Sequence, residues 1–459
     1  MKILLLLVFK IFARLLDTVN RCFNVLRFRY IREVVEANVE GTFDQQVCDV
    51  GETMAKRKTT YEFRPFEVCA IDYRSGSANE LTAGRKYPNA RSGHRIVCSD
   101  SALYCFGGFN PRMPGAGRAG NNENTEQLCL FQELWKYDII RKEWSLLLDA
   151  NNDLPLELAS NAMLLCGETI MIFGGSGFPF GLNCSNKLYV CQPRKLPKEM
   201  LEIEVKGDPP PPQYGQGIVY TDNYLYTVGG TNGFDYTLDV HRLHLPSRTW
   251  ERAYECRPNI REDPAGRYRH ELAYNDSKIY VFGGGTSESA FILSTIPVYD
   301  IKTNQWEYAV TTPDSKARLP GTPPARKCHS CVQIQTEQGL EVIVAGGYDG
   351  SAYFRDIWKL NLLSLQWTLM KKSRLPYPLF FHDATVTTDG CMYIFGGIKF
   401  NNNTDVRTHS LYKMWTTIPR LSAIAWDALL YYIPTLHSRT KEQLLELGIP
   451  RQFVNRIHD

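Results

Sequence analysis

The sequence lacks an apolar run of bilayer-spanning length. Its N-terminus, MKILLLLVFKIFARLL, is apolar only from Ile3 to Phe9 before Lys10 and Arg14 interrupt it. The basic start resembles a secretory signal, but no small-residue cleavage site follows. Residues 11–35 are amphipathic and basic, so residues 1–58 are expected to form an extension with a helix able to lie on a membrane or a partner. An excess of one charge is also missing. Lys and Arg total 52 against 49 Asp and Glu, a net charge of +3 with no long basic run, which excludes nucleic acid as an implied partner.

Cysteine is present without a framework. The 13 cysteines are odd in number and scattered, which excludes a disulfide scaffold and fits reduced thiols in a cytoplasmic or nuclear protein. The CxxC at Cys328–Cys331 enters a strand, where residues three apart point to opposite faces, so no metal site is expected. GGSGFPFG (174–181) is rich in glycine, but no helix follows it to receive a phosphate, and no cofactor is expected.

What the chain does have is a repeat. Six alternating apolar strands end in a glycine doublet: LYCFGG, IMIFGG, LYTVGG, IYVFGG, VIVAGG and MYIFGG, spaced about 50 to 67 residues apart. Paired glycines admit unusual dihedrals and close approach of neighbouring chains. Before each doublet stands a strand opened by polar residues, as in RSGHRIVC, RYRHELAY and KCHSCVQI. After it comes a third strand such as ELWKYDII or DIWKLNL, and then Trp144, Trp250, Trp306 or Trp367. Each unit is a four-stranded meander. The units resemble the kelch repeat, which implies an all-β, six-bladed propeller over residues 59–415. In the second unit EMLEIEV stands where a tryptophan strand is expected. The sixth unit has no fourth strand, so TYEFRPFEVCAI (60–71) is expected to supply it.

Strand direction alternates in a meander, so the loops after each Gly-Gly and the loops carrying RxxH share one face. That face is expected to gather Arg91, Arg267, Arg269, Arg326, Ser330 and Tyr348, with Tyr268, His270, Phe178, Thr286 and Ser287, and a long insertion at 110–127. Converging arginines suit a carboxylate, because bidentate Arg–carboxylate bonds are directional. The alternative is that the RxxH residues brace the blades, and this is the expectation for the histidines. The chain is expected to leave the propeller at the opposite face and end in a helical tail over residues 416–459. In the tail, Leu421, Ile424, Ala425, Ala428, Leu429 and Tyr432 form an apolar stripe, and Thr440–Gln443 form a capping box.

Further segments, RSGHR, YGQ, RYRHE, GGGTS, CHSCVQI, GGY and DIWKLNL, resemble kelch-repeat substrate receptors of cullin-2–elongin ubiquitin ligases from about residue 85 onward. PRLSAIAWDALL is similar to an elongin C-binding box, with Leu421, Ala425 and Leu429 at its key positions; the family usually carries cysteine where Ala425 stands. Ile449, Pro450, Phe453 and Ile457 are similar to the box that selects cullin-2. The resemblance implies a non-catalytic adapter that binds elongin B/C and cullin-2 and reads the C-termini of substrate proteins. It also implies a link to an apoptosis signal-regulating MAP kinase kinase kinase and a protein phosphatase. The competing classes are a kelch scaffold for a kinase, phosphatase or actin without ligase activity, and a copper oxidase of the galactose oxidase type, for which no His/Tyr set is found.

Overall fold

The computed structural model describes residues 60–73, 86–111, 130–152, 154–257, 260, 262–401 and 404–458. The N-terminal extension and most of the 110–127 insertion lie outside the described residues. Two compact units emerge: residues 66–418, and residues 60–65 together with 419–458. The expected boundaries at 59 and 415 therefore differ from these by a few residues at each end.

The larger unit consists of six antiparallel meanders. Blade one is Arg95–Cys98, Ala102–Phe106, Leu134–Asp138 and Glu143–Leu148. Blades two to five follow the same order, beginning at Ala162–Cys166, Gly217–Thr221, Glu271–Asn275 and Ser330–Thr336. Blade two does form a fourth strand, Met200–Glu202, from the expected EMLEIEV. Blade six contributes Asp383–Val386, Cys391–Phe395 and Leu411–Trp415, and the N-terminal Cys69–Ala70 completes it, pairing antiparallel with Tyr412 and Lys413. Strand exchange between the two ends of the chain thus occurs as expected. It uses only the second half of TYEFRPFEVCAI; Tyr61 and Phe63 go elsewhere, as described below.

The glycine doublets now have a physical explanation. The second glycines, 108, 175, 230, 284, 347 and 397, donate their N–H groups to the carbonyls of Leu158, Gln213, Arg267, Arg326, Leu379 and Arg91 at 2.8–3.0 Å. Each bond runs to the next blade, and the last joins blade six to blade one. All twelve glycines have positive φ, and a Cβ on Gly107 would stand 2.2 Å from the Leu158 carbonyl oxygen. Trp144, Trp250, Trp306 and Trp367 all sit in fourth strands and are buried. Second strands such as Ala102–Phe106 are buried along their whole length, because each lies within a blade stacked between two neighbours.

The smaller unit contains α1 (Leu421–Tyr432), a 3₁₀ turn (Pro434–Ser438), α2 (Lys441–Glu446) and α3 (Arg451–His458). The capping box forms: Gln443 N–H donates to Thr440 Oγ1 at 3.3 Å and Thr440 N–H to Gln443 Oε1 at 3.1 Å. Gly448, at φ 76°, follows α2. The stripe of α1 buries Ile424 and Ala428 against Tyr61 and Phe63. Tyr61 fixes this arrangement at both ends: its hydroxyl donates to Asp427 Oδ2 at 2.8 Å, and its N–H donates to the Tyr432 hydroxyl at 3.0 Å. Trp426 stacks on Phe453 with ring centroids 5.0 Å apart, which ties α1 to α3.

Candidate recognition site

The two loop types do share one face. Isolated bridges join Ser92 to Phe109, Tyr214 to Thr231, Tyr268 to Gly285 and Lys327 to Tyr348, so in each of these blades the residue after the doublet pairs with the loop entering strand one. One step further along that loop stands a residue in the left-handed region. The six are Gly93, Ser160, Gly215, Arg269, Cys328 and Phe381, with φ between 53° and 69°. Their backbones form a cycle. Ser160 N–H donates to Gly93 O, Gly215 to Ser160, Arg269 to Gly215, Cys328 to Arg269, Phe381 to Cys328 and Gly93 to Phe381, at 2.7–3.2 Å. Six residues far apart in sequence thus make a hydrogen-bonded collar about the propeller axis.

The side chains of the collar are unequal. Gly93 and Gly215 have none, while Arg269 extends its guanidinium to the Ser160 hydroxyl, with its carbon 4.6 Å from the centroid of the Phe381 ring. A Cβ on Gly93 would lie 3.3 Å from the same guanidinium, so the absence of a side chain there leaves room for it. Arg269 Nε is buried without a partner among the described residues. Burial lowers its pKa from the usual arginine value, and Arg95 lowers it further.

The residues immediately after His94, His270 and His382 form a second layer. Arg95 Nη1 donates to Glu271 Oε1 at 2.8 Å and to Asp383 Oδ1 at 3.2 Å, bringing together the first residues of strand one from blades one, four and six. Burial pushes the Glu271 carboxyl up to about 7; Arg95 pulls against this, and Asp383 reinforces it. The three positions are equivalent in the repeats, each the first residue of a strand one, although no shared residue type marks them in the sequence.

The structure places the other expected arginines differently. Arg91 and Arg326 are completely buried, and Arg267 nearly so. Arg91 donates to the carbonyls of Asn89 and Gly107 and to Glu133 Oε2 at 2.8 Å, beneath the ring of Phe131. Arg326 repeats this with Pro324, Gly346, both oxygens of Asp356 at 2.9 and 3.0 Å, and Phe354. In both blades a tryptophan, Trp135 or Trp358, donates to the same carboxylate. These two arginines brace the blades and do not line the face, which corrects the expectation for them. Ion pairing and ring stacking satisfy a guanidinium most fully in the interior.

Arg267 departs from that pattern. It bonds to the carbonyls of Ala265 and Gly283 and lies under Phe291, but Thr295 and Pro297 stand where the acid and the tryptophan would be. With burial uncompensated by a carboxylate, its pKa falls to about 10. Ser330 is also buried, its hydroxyl 2.9 Å from His382 Nε2. Tyr348 is half-buried on the face, with Lys327 Nζ 5.4 Å above its ring. The histidines are structural: His94 and His270 each donate to a strand-two carbonyl of the preceding blade at 3.1 Å, and burial takes His270 and His382 down to about 3.

In the tail, Leu421 is 46% exposed while Ala425 and Leu429 are half-buried. Of the second box, Pro450 is exposed, Ile449 half-buried, and Phe453 and Ile457 are buried. Among the described residues no helix is long and apolar enough to cross a membrane.

Residues 56–261 and 253–420 match the family described as the KLHDC2/KLHL20/DRC7 Kelch-repeats domain. The chain is 44% identical over 417 residues to the Kelch domain-containing protein 10 homolog of Drosophila melanogaster, covering 88% of this chain and 67% of that protein. It is 41% identical over 379 residues to Kelch domain-containing protein 10 of Xenopus laevis, covering 82% and 88%. To the Homo sapiens protein of the same name it is 39% identical over 381 residues, covering 83% and 82%.

Proposed function

This chain belongs to the kelch domain-containing protein 10 family of kelch-repeat proteins, and from that premise we propose that it is the non-catalytic substrate-recognition adapter of a cullin-2–elongin B/C ubiquitin ligase. The propeller holds the C-terminal carboxylate of a substrate protein on its loop face, and the helical tail engages elongin C through Leu421, Ala425 and Leu429, with Ile449, Pro450, Phe453 and Ile457 serving cullin-2. The same adapter acts on stress signalling through an apoptosis signal-regulating MAP kinase kinase kinase and a phosphatase.

One observation carries the carboxylate reading. Arg91, Arg95 and Arg326 each have a carboxylate in an ion pair. Arg269, on the axial collar, has none among the described residues, and its neighbours Ser160 and Phe381 leave it facing small or aromatic groups. A cation on the axis that no carboxylate pairs directly among the described residues is suited to an anion brought from outside. Arg267 supplies a second uncompensated positive charge in the same blade. Tyr348, half-buried on this face, offers a phenol within electrostatic range of Arg269.

The test is a matched pair of peptides, one with a free C-terminus and one amidated. Hydrogen bonds to a charged group contribute about 1.5–3 kcal/mol, so amidation is expected to weaken binding roughly 10- to 100-fold. Arg269→Ala should cause a similar loss for the free peptide and leave the amide unaffected. Equal affinity of the two peptides for the unaltered protein would sink the reading.

A further inference from the structure

The outer edges of the blades are not alike. The edge strands of blades one, two, four and six span six, three, six and two residues. Blade three covers its edge with the chain itself: Lys206–Gly207 pairs parallel with Thr249 and Trp250 as a fifth strand. Blade five begins the same manoeuvre. Thr312 bridges in parallel to Gln366, accepting from Trp367 N–H at 2.9 Å and donating to Leu365 O at 2.7 Å. There the covering strand stops, because Pro313 has no N–H to continue it, and the Asp314 side chain takes the Leu369 N–H at 3.0 Å. The strand itself, Gln366–Arg374, runs nine residues; beyond Leu369 no strand pairs with its outer edge among the described residues until Ser373, which is buried with its hydroxyl donating to the Phe66 carbonyl.

A groove of about 550 Å³ lies along this open edge, walled by Phe66 and residues 314–316. Its charged lining is one-sided: Lys316, Lys359, Lys371 and Lys372 against Asp314. Lys359 is already paired with Glu341, and Lys371 Nζ donates to the Lys316 carbonyl at 2.6 Å, which holds the Lys371 ammonium at the groove. Lysines on a sheet edge discourage pairing with another copy of the same edge. The same charges favour an extended segment of the opposite sign.

We infer that the outer edge of blade five is a docking groove for an acidic, extended segment of a partner protein, which pairs with the open stretch Met370–Lys372 while its carboxylates meet Lys316, Lys371 and Lys372. The groove is separate from the axial collar, so it offers a second point of attachment that does not depend on a C-terminus.

The probes are three acetylated and amidated octapeptides, alternating Val with Glu, with Ser or with Lys, titrated onto the full chain. With both ends blocked, none can use a terminal carboxylate. The Glu peptide should bind at least tenfold more tightly than the Ser peptide and weaken about tenfold between 50 and 500 mM salt, with the Lys peptide not binding. Lys371→Glu together with Lys372→Glu, both on the exposed surface, should remove the preference, and Arg269→Ala should leave it intact. Amide exchange at residues 370–372 should slow on binding. Equal binding of the three peptides, no binding of any, or an unchanged preference in the double variant would overturn the inference, whatever the fate of the axial site.

Discussion

Arg95 and Glu271 meet at 2.8 Å although 176 residues separate them, and the same guanidinium nitrogen lies 3.2 Å from Asp383. One cation therefore serves two carboxylates in a nearly dry site, with side-chain exposures of 12%, 17% and 7%. The pair of acids cannot both be comfortable as anions there, which is why burial and Asp383 together lift Glu271 to about 7.

The consequence is a pH dependence with a definite sign. The Glu271 carboxyl holds its proton in the folded chain at a pH where the unfolded chain, near its ordinary 4.5, has lost it. The stabilisation from this group is complete below about 4.5 and is lost as pH rises through about 7. Glu271→Gln removes that dependence, and it should make the protein more stable than the parent by roughly 2 kcal/mol above pH 7. Urea unfolding at pH 5 and pH 8 checks this; a parent protein whose midpoint is unchanged across that window would contradict it.

Arg91 and Arg269 should separate stability from recognition. Arg91→Ala breaks the buried ion pair with Glu133, whose side chain is 7% exposed, and breaking such a pair costs about 3–5 kcal/mol. Arg269→Ala removes an arginine that forms no direct ion pair among the described residues, and Glu271 keeps its bond to Arg95, so its unfolding midpoint should stay close to that of the parent. Thermal unfolding of the two variants side by side is the measurement. Similar destabilisation by both would mean that Arg269 is a brace as well.

In the tail, exposure divides one helix face into two roles. Leu421→Asp, at a position 46% exposed, should abolish capture of elongin B/C while leaving helical content unchanged. Ile424→Asp places a charge in the contact with Tyr61 and Phe63 and should lose several kcal/mol, melting the unit before any partner is tested. Circular dichroism together with a pulldown on purified elongin B/C distinguishes these outcomes. Retained capture by Leu421→Asp would remove the elongin reading of this helix.

Much of the architecture was legible along the chain. The Gly-Gly doublets, their spacing, the third strands and the tryptophans each depend on local geometry, so they repeat wherever that geometry repeats. The capping box at Thr440–Gln443 was visible for the same reason: its bonds join residues three apart. The need for an N-terminal strand in blade six could also be inferred, since an incomplete sheet leaves an edge to be paired. How TYEFRPFEVCAI divides could not, because Tyr61 and Phe63 bind a helix whose partners lie more than 360 residues away.

The sequence by itself determined a repeated, glycine-hinged propeller with a helical tail and a face rich in arginine. Which arginine is a brace and which stands uncompensated was decided only in three dimensions. Arg91 and Arg326 open the RxxH motif, and an acid at the start of each one's third strand neutralises it, whereas Arg269 sits at a left-handed collar position and forms no ion pair among the described residues. The charge state of a buried group depends on what the fold sets beside it, and a linear pattern carries no record of that.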